Sequence, residues 1–245
     1  MSATAEFSST CTGHLIAYVA EFKEVNMGHF DLVEIGGKLA MGYIPFLLAL
    51  TVHEFAHAIV AKWHGDNTAE LMGRVSLNPA VHIDPIGTVL LPISNIVFGI
   101  PIPFGWAKPV PFNPRNLKDV KNGTFWIAFA GPLSNLIMAV LATIILAIIY
   151  RTGVPSGYEN ASVVLLATFI KINLLLAVFN LIPVHPLDGG KVLARFLPAK
   201  VNYFLEQNEQ HTFWILMFLA ISGGLAIISY PVNYMFQFLL RLVGG

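Results

Sequence analysis

Residues 39–63 read LAMGYIPFLLALTVHEFAHAIVAKW, and this run decides the fold class because it is long and apolar yet carries ionisable groups in its second half. A bilayer core about 30 Å thick requires roughly 20 mostly apolar helical residues, and the run supplies them. His53, Glu54 and His57 would be costly next to lipid. Their presence indicates a functional site inside a membrane-spanning helix.

The composition of the whole chain is typical of a membrane protein. Of its 245 residues, 56% are hydrophobic and 11% are charged, against roughly 25% charged residues in soluble domains. The 14 Lys and Arg balance the 14 Asp and Glu, so nucleic-acid binding would lack its usual electrostatic driving force. The single cysteine, Cys11, excludes an internal disulfide and a thiolate metal cluster, which leaves His, Asp and Glu for any metal chemistry.

Three further apolar runs are long enough to cross a bilayer, namely 124–150, 161–182 and 212–229. A fifth stretch, Tyr234–Val243, is short and follows Pro231, so it either spans with tilt or lies at the interface. We therefore predict an all-α polytopic membrane protein with four to six transmembrane helices. Residues 1–30 are expected to form a polar tail, and residues 31–245 a single membrane domain.

The segment 86–112 is apolar but repeatedly interrupted by helix-breaking residues, which are Gly87, Pro92, Gly99, Pro101, Pro103, Gly105, Pro109 and Pro111. Irregular backbone at membrane depth is tolerated only where protein or a wet cavity covers it. The sequence therefore predicts a re-entrant loop or hairpin here rather than a span. We further hypothesise that its Pro-rich part, residues 91–112, offers an edge to which an extended substrate can add as a strand.

The pattern His53-Glu54-Phe-Ala-His57 is an HExxH motif. On a helix the two histidines lie about 40° apart around the axis and about 6 Å apart along it, so both imidazoles can reach one metal ion. Glu54 lies beside them, where it can act as a base without replacing a histidine. The alternative is a pair of histidines that only hydrogen-bond neighbouring helices, and the cost of polar groups at this depth disfavours it.

A catalytic zinc usually has three protein ligands, so a third ligand is required. The stretch NLIPVHPLDGG, residues 180–190, follows the third apolar run and presents Asp188 from irregular backbone. An aspartate before two glycines is equally typical of a simple turn. Spacing alone therefore leaves the role of Asp188 open.

Three motifs in this order resemble the site-2 protease family of intramembrane zinc metalloproteases: HEFAH at 53–57, AGPLSN at 130–135 and NLIPVHPLDGG at 180–190. The resemblance extends to GRVSLNPAVHIDPIGT at 73–88 and FGWAKPVPFNPRN at 104–116. These features are those of the short bacterial-type members that lack PDZ and CBS domains. The resemblance covers roughly residues 30–243.

The resemblance implies that zinc is held by His53, His57 and Asp188, with Glu54 as general base and acid. It also implies that Asn180 helps to hold the substrate carbonyl or the oxyanion. We regard Asn135 as a second candidate for the oxyanion donor. The expected function is hydrolysis of peptide bonds in transmembrane protein substrates within a bacterial cell membrane, by a multi-pass protein surrounded by lipid and compatible with a homo-oligomer. Zinc would lower the pKa of a bound water far below that of bulk water, toward about 7.

Other readings stay open at this point. His185 departs from the pattern of the family and is a fourth ligand, a hydrogen-bond partner of a ligand or a partly solvated loop residue. For His82 and Asp84, a network that anchors a loop is favoured over ligation. The same His and Asp site could also serve a metal-binding transporter or a non-proteolytic membrane protein, although no duplicated half of the transporter kind is present.

Sharing one metal fixes the topology. His53 and His57 lie toward the carboxyl end of the first run and Asp188 follows the third, so these two helices must be parallel. One span separates them, and 86–112 must enter and leave on one face.

The active-site face then carries nine basic residues, namely Lys62, Arg74, Lys108, Arg115, Lys118, Lys121, Lys191, Arg195 and Lys200. The opposite face carries three, so the positive-inside rule predicts a cytoplasmic active-site face and an amino terminus outside.

Overall fold

The computed structural model describes residues 32–98, 105–152 and 159–244, and these residues form helices, turns and extended segments without a strand. The predicted polar tail, 1–30, lies outside the described residues. The α-helices are α1 (Leu32–Lys38), α2 (Ile44–Trp63), α3 (Thr68–Leu71), α4 (Leu91–Phe98), α5 (Val120–Thr152), α6 (Glu159–Asn180), α7 (Asp188–Ala194), α8 (Ala199–Gln207), α9 (Glu209–Ile221) and α10 (Ser229–Gly244). Two π-helical stretches, Leu39–Tyr43 and Pro85–Leu90, and three 3₁₀ turns, Pro79–Val81, Pro114–Asn116 and Gly224–Ile228, complete the helical structure.

Four described helical segments are long and apolar enough to cross a membrane, namely Ile35–Trp63, Val120–Thr152, Ala161–Asn180 and Gly224–Val243. The first three correspond to the predicted runs. The fourth differs, because α9 ends at Ile221 and Gly223 takes the left-handed conformation, with φ +80°, that glycine adopts at helix ends. The predicted run 212–229 is therefore not one span, and the fifth stretch, 234–243, forms the second half of the fourth span.

Helix α5 lies between α2 and α6 and runs antiparallel to both. On one side, Ile127 of α5 contacts His57 of α2, and the later residue Asn135 contacts the earlier residue Ala49. The residue numbers therefore run in opposite directions along the two helices. On the other side, α6 begins shortly after α5 ends and Asn173 of α6 bonds Asn135 of α5, so these helices are also antiparallel, with the small residues Ala139 and Ala142 of α5 in the apolar core shared with α6 and α10. Small residues let helix backbones approach closely within a membrane. The first and third spans are therefore parallel, as sharing a metal requires.

The segment 86–112 returns to its start. The Trp106 N–H donates to the Gly87 carbonyl (3.1 Å), and the Lys108 N–H donates to the His82 carbonyl (2.9 Å). Gly87 permits this return, because a Cβ there would lie 2.4 Å from the Trp106 indole. The two described ends of the segment thus lie side by side, as expected for a hairpin or re-entrant loop, and residues 99–104 between them lie outside the described residues.

Asp66 anchors the end of this excursion to the end of α2. Its buried carboxylate accepts hydrogen bonds from the Asn113 N–H (2.6 Å), the Asn116 side chain (2.8 Å) and both the N–H and the hydroxyl of Thr68 (3.1 and 2.5 Å). Burial alone would raise the pKa of Asp66, but these hydrogen bonds hold the pKa below its ordinary value. The anchor stabilises the extended segment that lines the site described below.

The same end of the molecule also holds the beginning of α5. The Lys118 N–H donates to the His64 carbonyl (3.1 Å), so Lys118 lies beside the carboxyl end of α2. Arg151 lies at the far end of α5, which is 33 residues long. At about 1.5 Å per residue this helix is about 50 Å long, more than the thickness of a hydrocarbon core.

We expect that impermeant thiol reagents applied from outside cells will label only one of four single cysteines introduced into a Cys11→Ser background. The four positions are Lys62, Lys118, Arg151 and Lys200. Cysteine at Arg151 is the one expected to react, because the positive-inside rule places the other three on the cytoplasmic face. Permeabilised cells, in which all four react, provide the control. External labelling at Lys118 would contradict the predicted topology.

Candidate metal centre

Three ligand-type side chains converge where α2, α5 and α7 meet. The Nε2 atoms of His53 and His57 are 3.0 Å apart, and the Asp188 Oδ2 lies 3.2 Å from the first and 3.3 Å from the second. All three side chains are buried. They form the cluster in the described part of the chain that can hold a metal ion.

The hydrogen bonds behind the histidines show that this cluster fits a cation. The Nδ1 of His57 lies 2.6 Å from the Ile127 carbonyl, which can only accept, so the proton of this imidazole is on Nδ1. The Nδ1 of His53 lies 2.6 Å from the Asn135 Oδ1 and donates in the same way. Each Nε2 is therefore the ring atom that points at the other histidine and at the Asp188 carboxylate, where a cation between the three groups would be coordinated.

The spacing also suits zinc. Metal–ligand distances of about 2.0 to 2.1 Å in a tetrahedral site place neighbouring ligand atoms about 3.3 Å apart. The three distances between Nε2 and Oδ2 atoms are 3.0, 3.2 and 3.3 Å. Two imidazoles and one carboxylate are, in addition, a donor set found in catalytic zinc sites, which keep a further position open.

Glycines let the backbone approach these ligands. A Cβ on Gly131 would lie 2.4 Å from the His57 Nε2 and 2.6 Å from the His53 Cε1, so α5 can pass the metal centre only without a side chain here. Gly189 has a different part, because a Cβ there would lie 2.3 Å from the Ile182 carbonyl oxygen, so it lets the start of α7 approach the preceding turn. The two glycines following Asp188 thus pack α7 against the turn before it, and Asp188 is not merely a turn residue.

We expect Gly131→Ala to weaken zinc binding by about 10-fold to 100-fold, because the added methyl group displaces both histidines from the ligand geometry. Chelator competition measures this loss. Gly123→Ala is the matched control in the same helix, because its Cβ would meet only the flexible Leu117 side chain, at 3.1 Å. Equal zinc affinity in the two variants would contradict the close approach of Gly131 to the histidines.

A cavity of about 380 Å³ opens beside the metal centre. Its walls are mostly apolar and come from α2, the extended segment 105–112, α5, the end of α6 and α9. Phe213 of α9 packs edge-on against Trp106, with 6.5 Å between ring centroids. Besides the ligands, the polar side chains in the lining are Glu54, Asn180 and Lys191.

Glu54 is buried and lies at the boundary between the metal centre and the cavity. Its Oε2 accepts a hydrogen bond from the Val110 N–H at 3.2 Å, so the extended segment holds the carboxylate in place. Lys191 follows Asp188 by three residues and places its Nζ 5.6 Å from the centre of the Phe112 ring. Both charged groups therefore face the same cavity as the three candidate ligands.

The two asparagines considered as oxyanion donors occupy different places. Asn180 lines the cavity and donates one amide hydrogen to the Leu176 carbonyl (3.0 Å), with no partner for the other in the described part of the chain. Asn135 is fully buried behind His53 and is not part of the cavity lining. Both of its amide hydrogens are committed, one to the Ala49 carbonyl (3.2 Å) and one to the Asn173 Oδ1 (2.9 Å).

The remaining sequence candidates lie outside the metal cluster. The Nε2 of His82 is 2.8 Å from the Ser76 carbonyl, and Asp84 accepts from the N–H groups of Ile86 and Gly87, so these two residues anchor a loop. His185 is buried, and its Nε2 has no partner among the described residues. Asn173 was not predicted from the sequence. It could have been found because it is a polar side chain in the middle of an apolar span, where polar residues usually have a functional role.

Known proteins are similar in sequence to this chain over most of its length. The family model described as Peptidase family M50 matches residues 154–223, which include Asn180 and Asp188. YwhC of Bacillus subtilis, whose name describes a zinc metalloprotease, is 32% identical over 191 residues that cover 77% of this chain and 84% of YwhC. The chain belongs to peptidase family M50. This is the site-2 protease family that its motifs resemble.

Other relatives of this M50 chain also carry names of zinc metalloproteases. Rip2 of Mycolicibacterium smegmatis is 27% identical over 191 residues, which cover 78% of this chain and 70% of Rip2. MJ0392 of Methanocaldococcus jannaschii is 29% identical over 164 residues, which cover 67% of this chain and 36% of MJ0392. No solved structure matches the chain. The M50 protein is thus a zinc metalloprotease and, with its four apolar helices, an integral membrane protein.

Proposed function

We propose that this M50 protein is an intramembrane endopeptidase that hydrolyses peptide bonds of transmembrane protein substrates. The observation that carries the proposal is the cluster of His53, His57 and Asp188, which faces a mostly apolar cavity and has two of its members within the span Ile35–Trp63. These three side chains would hold the zinc. When bound there, zinc supplies a Lewis acid that polarises a carbonyl oxygen and lowers the pKa of a water ligand.

Glu54 is the residue that moves protons in this proposal. Its carboxylate lines the cavity next to the ligands and is oriented by the Val110 N–H. It accepts a proton from the attacking water and then gives that proton to the leaving amine. The apolar walls of the cavity limit access of other water, which strengthens electrostatic interactions inside it.

Asn180 is the oxyanion donor that the geometry favours. Its side chain reaches the cavity with an amide hydrogen that has no partner in the described structure. An amide donor directed at the developing negative charge stabilises the transition state. Asn135, in contrast, has no hydrogen left to donate, so we assign it to orienting His53 instead.

An extended substrate fits along the segment 105–112. Alternate N–H groups of this segment bond inward to the protein, namely those of Trp106, Lys108 and Val110. The residues between them have their backbone carbonyls on the opposite edge of the segment. There the carbonyls of Ala107 and Pro109 accept no hydrogen bond in the described chain. Pro109 and Pro111 carry no N–H, so this edge offers mainly acceptors, to which the N–H groups of an unwound substrate can donate.

We further propose that the protein lies in a bacterial cell membrane, with lipid around its exposed apolar side chains and its cavity opening toward the cytoplasm. The predicted bias of nine basic residues to three supports this orientation. No step of the proposed reaction requires a second copy of the chain or a nucleic acid.

The test uses purified protein in lipid vesicles with single-span protein substrates. Cleavage is expected within the transmembrane segment of a substrate, lost after zinc chelation and restored by added zinc. A soluble peptide of the same cleaved sequence is the control and is expected to be cut more slowly. Tight zinc binding without any cleavage, together with zinc flux across the vesicle membrane, would overturn the proposal in favour of a transporter.

Natural substrates are accessible through a second experiment. Membrane proteomes of cells with the active protein and with Glu54→Gln are compared for shortened single-span proteins. Fragments that end within a transmembrane segment are expected only with the active protein. Identical proteomes under all growth conditions would contradict proteolysis of transmembrane proteins.

A further inference from the structure

We propose that Asn173 of α6 is a positioning residue that, through Asn135, fixes the tautomer and orientation in which His53 faces the metal. The inference rests on the proposed function, because it takes His53 as a metal ligand. Asn173 is fully buried in a transmembrane helix, does not line the cavity and touches no metal-ligating group directly. It acts through a series of hydrogen bonds that runs from Phe169 through Asn173 and Asn135 to His53, in which only one assignment of donors and acceptors satisfies every bond.

The chain of hydrogen bonds begins at a backbone carbonyl. The Asn173 Nδ2 lies 2.9 Å from the Phe169 carbonyl oxygen in the preceding turn of α6. A carbonyl can only accept, so the amide nitrogen of Asn173 must point at Phe169. The Oδ1 of Asn173 is therefore the atom that faces α5.

The second step fixes Asn135. The Asn135 Nδ2 donates one hydrogen to the Asn173 Oδ1 (2.9 Å) and the other to the Ala49 carbonyl of α2 (3.2 Å). Both acceptors face the same nitrogen, so the amide of Asn135 cannot be inverted without losing both bonds. Its Oδ1 is therefore directed at His53.

The third step fixes His53. The Asn135 Oδ1 lies 2.6 Å from the His53 Nδ1 and accepts a hydrogen bond from it, so Nε2, 3.2 Å from the Asp188 Oδ2, is the nitrogen that faces the metal position. An inverted Asn135 would present N–H groups to Nδ1, draw the proton to Nε2 and block ligation. His57 needs no such device, because a backbone carbonyl, that of Ile127, fixes it directly.

The two histidines of one motif are thus oriented in different ways. His57 depends on the backbone of α5, whereas His53 depends on two asparagine side chains from two other helices. A change at Asn173 is expected to reach the metal through His53 alone. Removing its oxygen leaves an Asn135 hydrogen unpaired in a buried, low-dielectric place and removes one of the two bonds that oppose inversion of the amide.

The test compares two substitutions of Asn173 in the zinc-loaded full chain. Asn173→Leu removes the acceptor with a side chain of the same branching and the same number of heavy atoms, and it is expected to weaken zinc binding about 10-fold in chelator competition. Asn173→Asp keeps an oxygen toward Asn135 and, as a neutral acid, can still donate to the Phe169 carbonyl, so zinc affinity within about threefold of the original is expected. Asn173→Ala replaces the leucine variant if that variant does not elute as a folded protein.

Thr143→Val is the matched control, because it also removes a buried polar group from a span. The Thr143 hydroxyl bonds only within its own helix, to the Ala139 carbonyl (2.8 Å), and zinc affinity is expected to stay unchanged. An equal loss of zinc affinity in Thr143→Val, or an equal loss in Asn173→Asp and Asn173→Leu, would overturn the proposal.

A spectroscopic measurement separates this inference from the proposed function. In the zinc-loaded full chain, ¹⁵N chemical shifts of labelled histidine report which ring nitrogen carries a proton and which binds the metal. We expect His53 to be protonated at Nδ1 in the original protein and to show a mixture of states in Asn173→Leu, with His57 unchanged. If the protein binds zinc but cleaves no substrate, the proposed function fails, yet the His53 signal still tests the inference. An unchanged His53 tautomer in a folded Asn173→Leu variant would refute it.

Discussion

Glu54→Gln is expected to abolish peptide-bond cleavage while zinc stays bound. The amide of glutamine has nearly the shape of the carboxylate, and its oxygen can still accept the hydrogen bond of the Val110 N–H, so the local structure is preserved. What is lost is the capacity to take up a proton. General acid–base catalysis contributes about 10²-fold to 10⁴-fold, so the cleavage rate is expected to fall by at least about 100-fold.

Two measurements on the same preparation check this expectation. Zinc content per chain is expected to equal that of the original protein, and the cleavage rate of a single-span substrate is expected to be near background. Glu70→Gln is the matched control, because Glu70 is an exposed glutamate paired with Lys62 and is not part of the cavity lining. Loss of zinc from Glu54→Gln would show that Glu54 is a ligand rather than the proton-moving group.

The local part of the site was predictable from the sequence because helix geometry fixes it. A spacing of four positions along one helix places His53 and His57 on one face, and in the structure their Nε2 atoms are 3.0 Å apart. The three ordered motifs identified the family, to which the chain belongs. The parallel arrangement of the first and third spans also followed, since a shared metal permits no other.

Contacts between helices were not predictable in the same way. From the sequence, both Asn135 and Asn180 were candidates for the oxyanion donor. Spacing along the chain does not determine whether an asparagine lies in front of a distant histidine or behind it. Tertiary packing separates them, with Asn180 in the cavity wall and Asn135 behind His53. Asn173 was missed for the same reason, because its partner lies 38 positions away on another helix.

The fourth span illustrates a different limit. Hydropathy alone favours the run 212–229, but Gly223 with its positive φ ends one helical segment and permits a new start. The apolar residues before this break form α9, which packs beside the cavity, and those after it form the span Gly224–Val243. A hydropathy average cannot distinguish a helix that faces a cavity from one that faces lipid.

His185, in the loop before Asp188, is the residue that the sequence offered as a fourth metal ligand. It is three positions before Asp188, is buried, and has an Nε2 without a hydrogen-bond partner in the described chain. It is nevertheless not a member of the cluster formed by His53, His57 and Asp188. We therefore assign it no ligand role, and removing it is the natural comparison for removing Asp188.

Asp188→Ala is expected to remove most of the zinc affinity, whereas His185→Ala leaves zinc affinity within about threefold of the original. The Asp188 Oδ2 lies 3.2 and 3.3 Å from the two imidazole Nε2 atoms, so its loss leaves two neutral ligands and removes the negative charge that balances the cation. Zinc binding at sites with four protein ligands is worth about 10 to 16 kcal/mol, so losing one ligand is expected to weaken binding by about 100-fold or more. Competition with a chelator of known affinity measures both variants, and circular dichroism checks that their helices are intact. If His185→Ala releases zinc as readily as Asp188→Ala, the set of three ligands is wrong and the imidazole of His185 must be counted among them.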